Sequence, residues 1–364
     1  MKTMFFGDVS PSFDSKELFR NEEVDILFGD VQGIMKNNDF VFVNLETAIT
    51  DCDASNNIKK FGPCLSAPKQ TVKILKELGV DLCGLSNNHT FDLGLQGVKD
   101  TFDALHEYGM EYTGWGKDYE DSRKDYIVRK NGEKIAIITV CEHEYSYALE
   151  NRMGARPFDE FDTMEDIRDA RKIADRVIVI YHGGKEFCRY PSPRLMRVCR
   201  AMARCGADMV LCQHSHCIGC YEEYEGCHIL YGQGNFHFIK KTHPNEGWFT
   251  SLGVSYDTVT DEIGFIPMRA DGDGIRLAKG EDKEEILAAF EKRNEELQNG
   301  EWKQGWHDFC VSMADVYRRN IGRACTPEST ETDDAVFGHY LDCEAHTDVW
   351  RELFKTWNHT NCFE

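Results

Sequence analysis

Five hydrophobic segments of this sequence each end in side chains that can bind a metal ion or move a proton. The residues at these ends are drawn only from Asp, Glu, Asn and His: Asp8; Asn44 and Glu46; Asn87, Asn88 and His89; His182; and His214 and His216. A strand must run into a polar loop somewhere, so one such ending is uninformative. Five endings of one chemical kind indicate a shared site.

This mixture of side chains suits a centre of one or two divalent ions (Zn, Mn or Fe). Neutral imidazole binds zinc and iron and also serves manganese beside carboxylate oxygens. A carboxylate can bridge two ions, and two ions about 3.5–4 Å apart activate a water and clamp a transferring group. If the segment around His214 and His216 is extended, residues two apart share a face, and both rings are predicted to reach one site.

Several of these residues also have a simpler structural interpretation. Asp8 follows Gly7 in a common turn pair, and Asn87 and Asn88 could cap a helix, although Asp92 is the stronger cap candidate. Lys185 and Arg189 follow His182 closely and could hold a carboxylate or phosphate, or simply lie at the surface. Residues 142–144 (Glu-His-Glu) could contact substrate or be a solvated loop.

The segments that must position these residues alternate with amphipathic helical patterns. Strands are predicted at 4–8, 40–46, 80–89, 134–140, 176–182, 208–216 and 228–236, and helices at 68–78, 95–108, 164–174 and 193–204. The apolar runs are nearly continuous, which is typical of strands buried on both faces. The alternation predicts an α/β layered fold, in which ligands bind beyond the carboxyl ends of the strands.

The amino-acid composition of the sequence changes near residue 270. Residues 270–285 are rich in glycine and charge and are predicted to be a connector or turn. Helices are predicted at 284–297, around 302–317 and at 344–357. We therefore expect a main domain over 1–270 and a helical C-terminal appendage over 280–364.

Composition excludes several classes of function. The chain has 364 residues, with 42 Lys and Arg against 63 Asp and Glu, for a formal charge of −21. Such a protein is a poor candidate for binding nucleic acid or anionic lipid through bulk charge. We expect no membrane insertion, because the apolar runs fall far short of about 20 residues. Fifteen cysteines without a secretory signal predict free thiols in the cytoplasm, with a structural zinc at Cys217 and Cys220 as a minor alternative.

Six motifs in order carry a family resemblance: GDV (7–9), NLE (44–46), NNHTFDLG (87–94), YHGGKE (181–186), QHSH (213–216) and GQGNF (232–236). Over about residues 1–240 the chain resembles the CapA family of bacterial poly-γ-glutamate capsule synthesis proteins. The resemblance implies a β-sandwich flanked by helices, similar to calcineurin-like metallophosphoesterases.

The resemblance also implies roles for individual residues. Asp8 and His216 would bind one ion, Asn88, His182 and His214 a second, with Glu46 between them. His89 would stand outside the metals as a proton donor or acceptor, so that His89 and Asp8 are the catalytic candidates. Asn44, Glu186 and Asn235 would support the ligands or contact substrate, and Asn87, Lys185 and Arg189 complete the candidate substrate contacts.

One departure from the metallophosphoesterase pattern stands out. That pattern usually opens with Asp-x-His, whereas Ser10 occupies the His position here.

The resemblance as a whole implies a metal-dependent, hydrolase-like enzyme acting on a peptide-like or γ-glutamyl substrate. The alternatives are a phosphoesterase, a non-catalytic capsule-assembly factor and a metal-dependent peptide epimerase. The sequence does not indicate an oligomeric state.

Overall fold

The computed structural model describes residues 1–142 and 144–355. The strands are β1 (Lys2–Val9), β2 (Phe40–Leu45), β3 (Ala48–Ile49), β4 (Ser66–Ala67), β5 (Leu82–Gly84), β6 (Glu111–Thr113), β7 (Trp115–Gly116), β8 (Tyr126–Lys130), β9 (Glu133–Cys141), β10 (Gly154–Ala155), β11 (Arg176–His182), β12 (Met209–Gln213), β13 (Tyr221–Tyr224), β14 (Cys227–Leu230), β15 (Asn235–His237), β16 (Thr250–Asp257), β17 (Glu262–Asp271) and β18 (Gly274–Leu277). The helices are α1 (Lys16–Arg20), α2 (Val24–Phe28), α3 (Val31–Met35), α4 (Gln70–Glu77), α5 (Gly94–Glu107), α6 (Tyr119–Ser122), α7 (Glu160–Ile173), α8 (Pro193–Cys205), α9 (Gly280–Asn299), α10 (Trp302–Ala324), α11 (Glu331–Asp342) and α12 (Glu344–Phe354).

Two large sheets form the centre of the fold. The first has eight strands in the order β18-β17-β16-β1-β2-β5-β6, and β15 also pairs with β1. The second has six strands in the order β13-β14-β12-β11-β9-β8. Within them, β1, β2, β5 and β6 are mutually parallel, as are β9, β11, β12 and β14. Each parallel group therefore brings its carboxyl ends to one edge.

Alternate residues of the apolar strands serve two different layers. Phe40 and Phe42 of β2 join a cluster that contains Ile135 and Ile137 of the other sheet. Val41 and Val43 point to the opposite side, into a cluster formed with α4 and α5. The continuous apolar runs are thus explained by burial on both faces. The predicted β-sandwich flanked by helices is confirmed.

The helices α10, α11 and α12 pack on the outer layer of the six-stranded sheet, whereas Ile286 and Phe290 of α9 join the cluster between the two sheets. Trp306, Tyr317 and Val349 share one apolar cluster with strand residues of β9 and β11 and with α7 and α8. A buried polar contact reinforces this packing, because Asp348 of α12 accepts a hydrogen bond from Arg194 Nε of α8 at 3.0 Å. The helices predicted at 284–297 and 302–317 correspond to α9 and α10. The helix predicted at 344–357 corresponds to α12, and its last two residues lie outside the described part of the chain.

Residues 270–285 contain a turn, which was one of the two sequence predictions, but they are not an irregular connector. They contain the end of β17, all of β18 and the start of α9. The hairpin turns at Gly272, whose φ is +62°, and extends the eight-stranded sheet with antiparallel strands. Its charged residues misled the prediction because an edge hairpin can expose polar side chains to water.

The segment predicted as one strand at 228–236 forms two strands in different sheets. β14 belongs to the six-stranded sheet, whereas β15 pairs with β1 in the other. The chain crosses between the sheets through Gly234, whose φ is +77°. A Cβ on Gly7 would lie 2.1 Å from the carbonyl oxygen of Gly234, so the crossing requires glycine at position 7. This close approach sets Asp8 beside Asn235.

Candidate metal centre

The predicted ligands converge where the two sheets meet at their carboxyl edges. Asp8 lies opposite Asn44 of β2 on one side and opposite Asn235 of β15 on the other. Glu46 follows β2, and its backbone N–H donates to the carbonyl of Val9. His182 is the last residue of β11. The strand register thus brings residues distant in sequence into one buried site.

Two groups of ligand atoms form at this edge and share one carboxylate. The first comprises Glu46, His182 and His214, and the second Asp8, Glu46 and His216, with the atoms of each group within 4.8 Å of one another. Nε2 of His182 lies 3.4 Å from Glu46 Oε1, and Nδ1 of His214 lies 4.0 Å from the same oxygen. Carboxylate and imidazole atoms of this kind could hold a divalent cation, and Glu46 is common to both groups.

Glu46 supplies the test of whether the site fits a metal. Its side chain is 0% exposed, and neither carboxylate oxygen accepts a hydrogen bond from any described residue. Burial, reinforced by the nearby Asp8 carboxylate, raises the pKa of Glu46 well above its usual value. Burial likewise raises the pKa of Asp8. Two buried carboxylates among three imidazoles are the donors that a divalent ion would satisfy, so the residues fit the ion.

Asparagine side chains orient the imidazole rings. Asn44 Nδ2 donates to Asp8 Oδ1 at 2.7 Å and lies 3.0 Å from Nδ1 of His182, while Asn88 Oδ1 lies 2.9 Å from Nε2 of that ring. Asn235 Oδ1 lies 2.8 Å from Nδ1 of His216, and Asn235 Nδ2 donates to the carbonyl of Trp248. Because the Asn235 amide is oriented this way, Nδ1 of His216 carries the proton and Nε2 keeps its lone pair for a cation.

The two histidines after β12 lie in a turn and not in the extended segment that the sequence predicted. The strand ends at Gln213, and His214 and His216 have φ angles of +80° and +53°. They converge because the backbone turns, and left-handed conformations of this kind cost of order 1–3 kcal/mol per residue. Local sequence pattern carries no signal for such a turn at non-glycine residues.

His89 belongs to a buried chain of polar groups behind the metal ligands. Its Nδ1 lies 2.5 Å from Asp92 Oδ2, while Asp92 Oδ1 pairs with the Lys60 ammonium. Burial lowers the pKa of His89, which keeps the ring neutral near pH 7, although the Asp92 charge acts in the opposite sense. Burial alone would raise the pKa of Asp92, but His89 and Lys60 together hold it below its usual value.

The sequence suggested that Asp92 caps the following helix, but it does not. The residue preceding α5 is Leu93, and Asp92 Oδ2 instead accepts a hydrogen bond from the backbone N–H of Leu65 at 2.7 Å. Neither Asp92 nor Lys60 was predicted from the sequence as a partner of His89. The His-x-x-Asp spacing at 89–92 was the available signal for Asp92, whereas Lys60 is 29 residues away from His89 and had none.

A cavity of about 480 Å³ opens next to these groups. Asn88, His89, Lys185, Glu186 and His214 line its inner side. The outer side comes from Lys60 and its loop and from the C-terminal helices, through Phe309, Met313, His339, Tyr340 and His346. The helical region that the resemblance does not account for therefore forms one wall of the cavity.

The other sequence candidates lie at different distances from this cavity. Asn87 is buried, donates to Leu45 O and Asn44 Oδ1, and accepts from the backbone N–H groups of His89 and Thr90. Arg189 is not among the residues that line the cavity and lies against a separate one. The Ser10 hydroxyl lies 2.9 Å from the Ser12 hydroxyl.

Cys217 and Cys220 are free thiols, as the sequence predicted for the cysteines. Cys217 and Cys220 are buried, and their thiols donate to the backbone carbonyls of Cys188 and Arg189. Among residues 1–142 and 144–355, no cysteine belongs to a potential metal-binding group. In the same residues, none of the helices has the length and apolar character needed to cross a membrane.

Comparison with known proteins gives a consistent result. A family model described as "Bacterial capsule synthesis protein PGA_cap" matches residues 2–240. The capsule biosynthesis protein CapA of Bacillus anthracis is 30% identical over 66% of this chain and 59% of its own length. The PGA biosynthesis protein CapA of Bacillus subtilis is 30% identical over 68% of this chain and 64% of its own length. The chain thus spans less than two thirds of either relative.

Among solved structures, a 5′-nucleotidase from Candida albicans aligns with 74% of this chain and 52% of its own. The TM-score is 0.41 and the sequence identity is 8%.

Proposed function

Because the chain belongs to the PGA_cap family of bacterial capsule synthesis proteins, we propose that it is a metal-dependent enzyme acting on a peptide-like, carboxylate-rich substrate. The relative from Bacillus subtilis is named a PGA biosynthesis protein, and poly-γ-glutamate is the substrate of this proposal. The proposed reaction is hydrolysis of an amide bond of that substrate.

The observation that carries this proposal is the buried Glu46 carboxylate. A structural protein would gain nothing from an ionisable group that is 0% exposed and accepts no hydrogen bond from a described residue. Three histidines and a second carboxylate surround it. A divalent ion in this cluster would supply Lewis-acid polarisation and activation of water.

His89 is placed to handle protons at the edge of the cluster. Asp92 accepts the Nδ1 proton, so Nε2 bears the lone pair, and this nitrogen lies 4.0 Å from Glu46 Oε1. A neutral imidazole held in one tautomer is suited to act as a general base. It would take a proton from the attacking water and return it to the nitrogen of the breaking C–N bond.

Two buried lysines suit a substrate that carries carboxylates. Lys60 is already paired with Asp92, whereas the nearest carboxylate oxygen to Lys185 is Glu186 Oε2, at 3.5 Å. The Lys185 side chain is only 6% exposed and lines the cavity. A substrate carboxylate would provide this ammonium with a second partner.

The proposal is tested by metal analysis of protein purified without chelator, followed by turnover assays. We expect bound divalent metal and release of free amine from γ-glutamyl peptides, with both lost in Glu46→Ala. Phosphate esters are the matched second substrate class. Turnover of phosphate esters alone would identify a phosphoesterase, and exchange of the substrate α-proton without cleavage would identify an epimerase. Metal without any turnover would favour an assembly factor.

A further inference from the structure

A second cavity, of about 220 Å³, lies behind the loops that border the metal cavity. Lys185, Glu186 and Phe187 line the metal cavity, whereas Arg189 lines the second one. A second loop also borders both cavities: Asn245 lines the metal cavity, and residues 246–247 line the second cavity. The two cavities are therefore separated by the same two short segments.

Arg293 of α9 places a buried positive charge in this second cavity. The residue is 7% exposed, and its Nε donates to the carbonyl of Gly219 at 3.4 Å. Within residues 1–142 and 144–355, no carboxylate forms an ion pair with it. Burial lowers the pKa of Arg293, and the positive charge of Arg189 lowers it further. A buried guanidinium without a carboxylate is costly unless an anion joins it.

Arg189 adds a second guanidinium, on a residue that is exposed to solvent. Its Nη2 lies 3.6 Å from the position of a Cβ built on Gly247, which places the guanidinium at the cavity wall. Neither an ion pair nor a side-chain hydrogen bond of Arg189 is found in the described part of the chain.

The acidic residues of this cavity do not cancel the charge. Glu285 and Asp282 both face Arg269, at 4.0 Å and 3.2 Å. Glu246 is exposed and forms no ion pair with a described residue. Three arginines (Arg189, Arg269 and Arg293) and two carboxylates (Glu246 and Glu285) line the cavity itself, and Asp282 is not among the lining residues. The lining therefore has one positive charge in excess, in a protein whose formal charge is −21.

We propose that Arg189 and Arg293 form a carboxylate-binding subsite for a glutamyl unit remote from the bond that is cleaved. The assignment rests on the proposed function, because it places one end of the polymer in the metal cavity and another unit here. Guanidinium groups match carboxylates through paired, charge-assisted hydrogen bonds. Remote contacts of this kind supply binding energy that positions the reacting bond.

The test measures binding and needs no turnover. Isothermal titration calorimetry on chelator-treated, metal-free protein would use γ-linked hexaglutamate and, separately, inorganic phosphate. We expect Arg189→Gln to weaken hexaglutamate binding about 10- to 100-fold, the loss typical of a hydrogen bond to a charged group. Arg293→Gln should do the same, and Arg189→Gln keeps the test valid if the buried substitution does not fold. Arg168→Gln, an exposed arginine of α7, is the matched control and should bind normally.

Unchanged hexaglutamate affinity in Arg189→Gln and Arg293→Gln would overturn the subsite, as would wild-type protein that binds neither probe at millimolar concentration. Arginine-dependent binding of phosphate but not of hexaglutamate would overturn its assignment to a substrate carboxylate. Arginine-dependent hexaglutamate binding by a protein that never cleaves γ-glutamyl bonds would support the subsite and reject the proposed reaction.

Discussion

Nδ1 of His89 lies 2.5 Å from Oδ2 of Asp92, three residues later in the chain. Asp92 is itself fixed by the Lys60 ammonium and by the backbone N–H of Leu65. The imidazole is therefore held in one tautomer with Nε2 directed to the Glu46 side of the cluster. A carboxylate that orients a histidine is a common support of acid–base catalysis.

The first prediction concerns this pair. We expect His89→Ala to retain bound metal and to lose about 10²–10⁴ in turnover rate, the usual contribution of a general acid or base. Asp92→Asn should also lower the rate with metal retained, because an amide can present either a donor or an acceptor to Nδ1. Turnover and metal content are measured on the same preparations. His106→Gln, an exposed histidine of α5, is the control, and a His89→Ala protein that lost its metal would refute the assignment.

The second prediction concerns Glu46. Replacing its buried carboxyl group, which accepts no hydrogen bond from a described residue, should leave the metal-free Glu46→Gln protein at least as stable as the metal-free wild type. Adding metal at 100 times its dissociation constant should stabilise the wild type by about 2.7 kcal/mol and the variant far less. Thermal unfolding with and without chelator provides the comparison. Glu186→Gln changes a carboxylate of the same cavity that is in neither ligand group, and it should respond to metal as the wild type does.

Much of the fold followed from hydrophobic pattern alone. The prediction at 176–182 coincides with β11, and that at 134–140 lies within β9, because strands buried on both faces leave long apolar runs. The prediction at 80–89 was too long, since β5 ends at Gly84 and the polar residues that follow belong to the loop that carries His89. The convergence of the strand-end residues followed from the rule that parallel strands present their carboxyl ends together.

The features that the sequence did not reveal depend on tertiary contacts. Lys60 pairs with Asp92, which lies 32 residues later in the chain. Tyr340 lines the cavity because its helix packs in the apolar cluster on the six-stranded sheet. The turn at His214 and His216 has positive φ angles, which are uncommon for non-glycine residues and were not predictable from the residue types. Such relationships come from packing of distant segments, and periodicity describes only local structure.

The third prediction concerns pH and the buried His237 of β15. Burial between Phe19 and Phe28 lowers the pKa of His237 to about 3. In the unfolded chain the ring has its ordinary pKa near 6.5, so below that pH only the unfolded state gains the proton. The resulting loss of stability begins below pH 6.5, grows by about 1.4 kcal/mol per pH unit towards pH 3, and is absent above pH 6.5.

The measurement for His237 is urea unfolding at pH 7 and pH 5. Between these values, the stability of the wild type should fall by about 2 kcal/mol more than that of His237→Phe. His106→Gln, which changes an exposed ring, should follow the wild type. Parallel losses in wild type and His237→Phe would mean that the pKa of His237 is the same in the folded and unfolded states.

The fourth prediction concerns unequal binding of two ions. The group around His182 and His214 offers two imidazoles, whereas the group around Asp8 offers one, because Ser10 stands where the metallophosphoesterase pattern has a histidine. Imidazole is a much better ligand for zinc-like ions than a neutral hydroxyl. Titration of metal-free protein should therefore show one tight and one weaker equivalent, with His214→Ala removing the tight one and His216→Ala the weaker. Ser10→His should strengthen the weaker equivalent, whereas two equally tight equivalents in the unmodified protein would show that Ser10 causes no deficit.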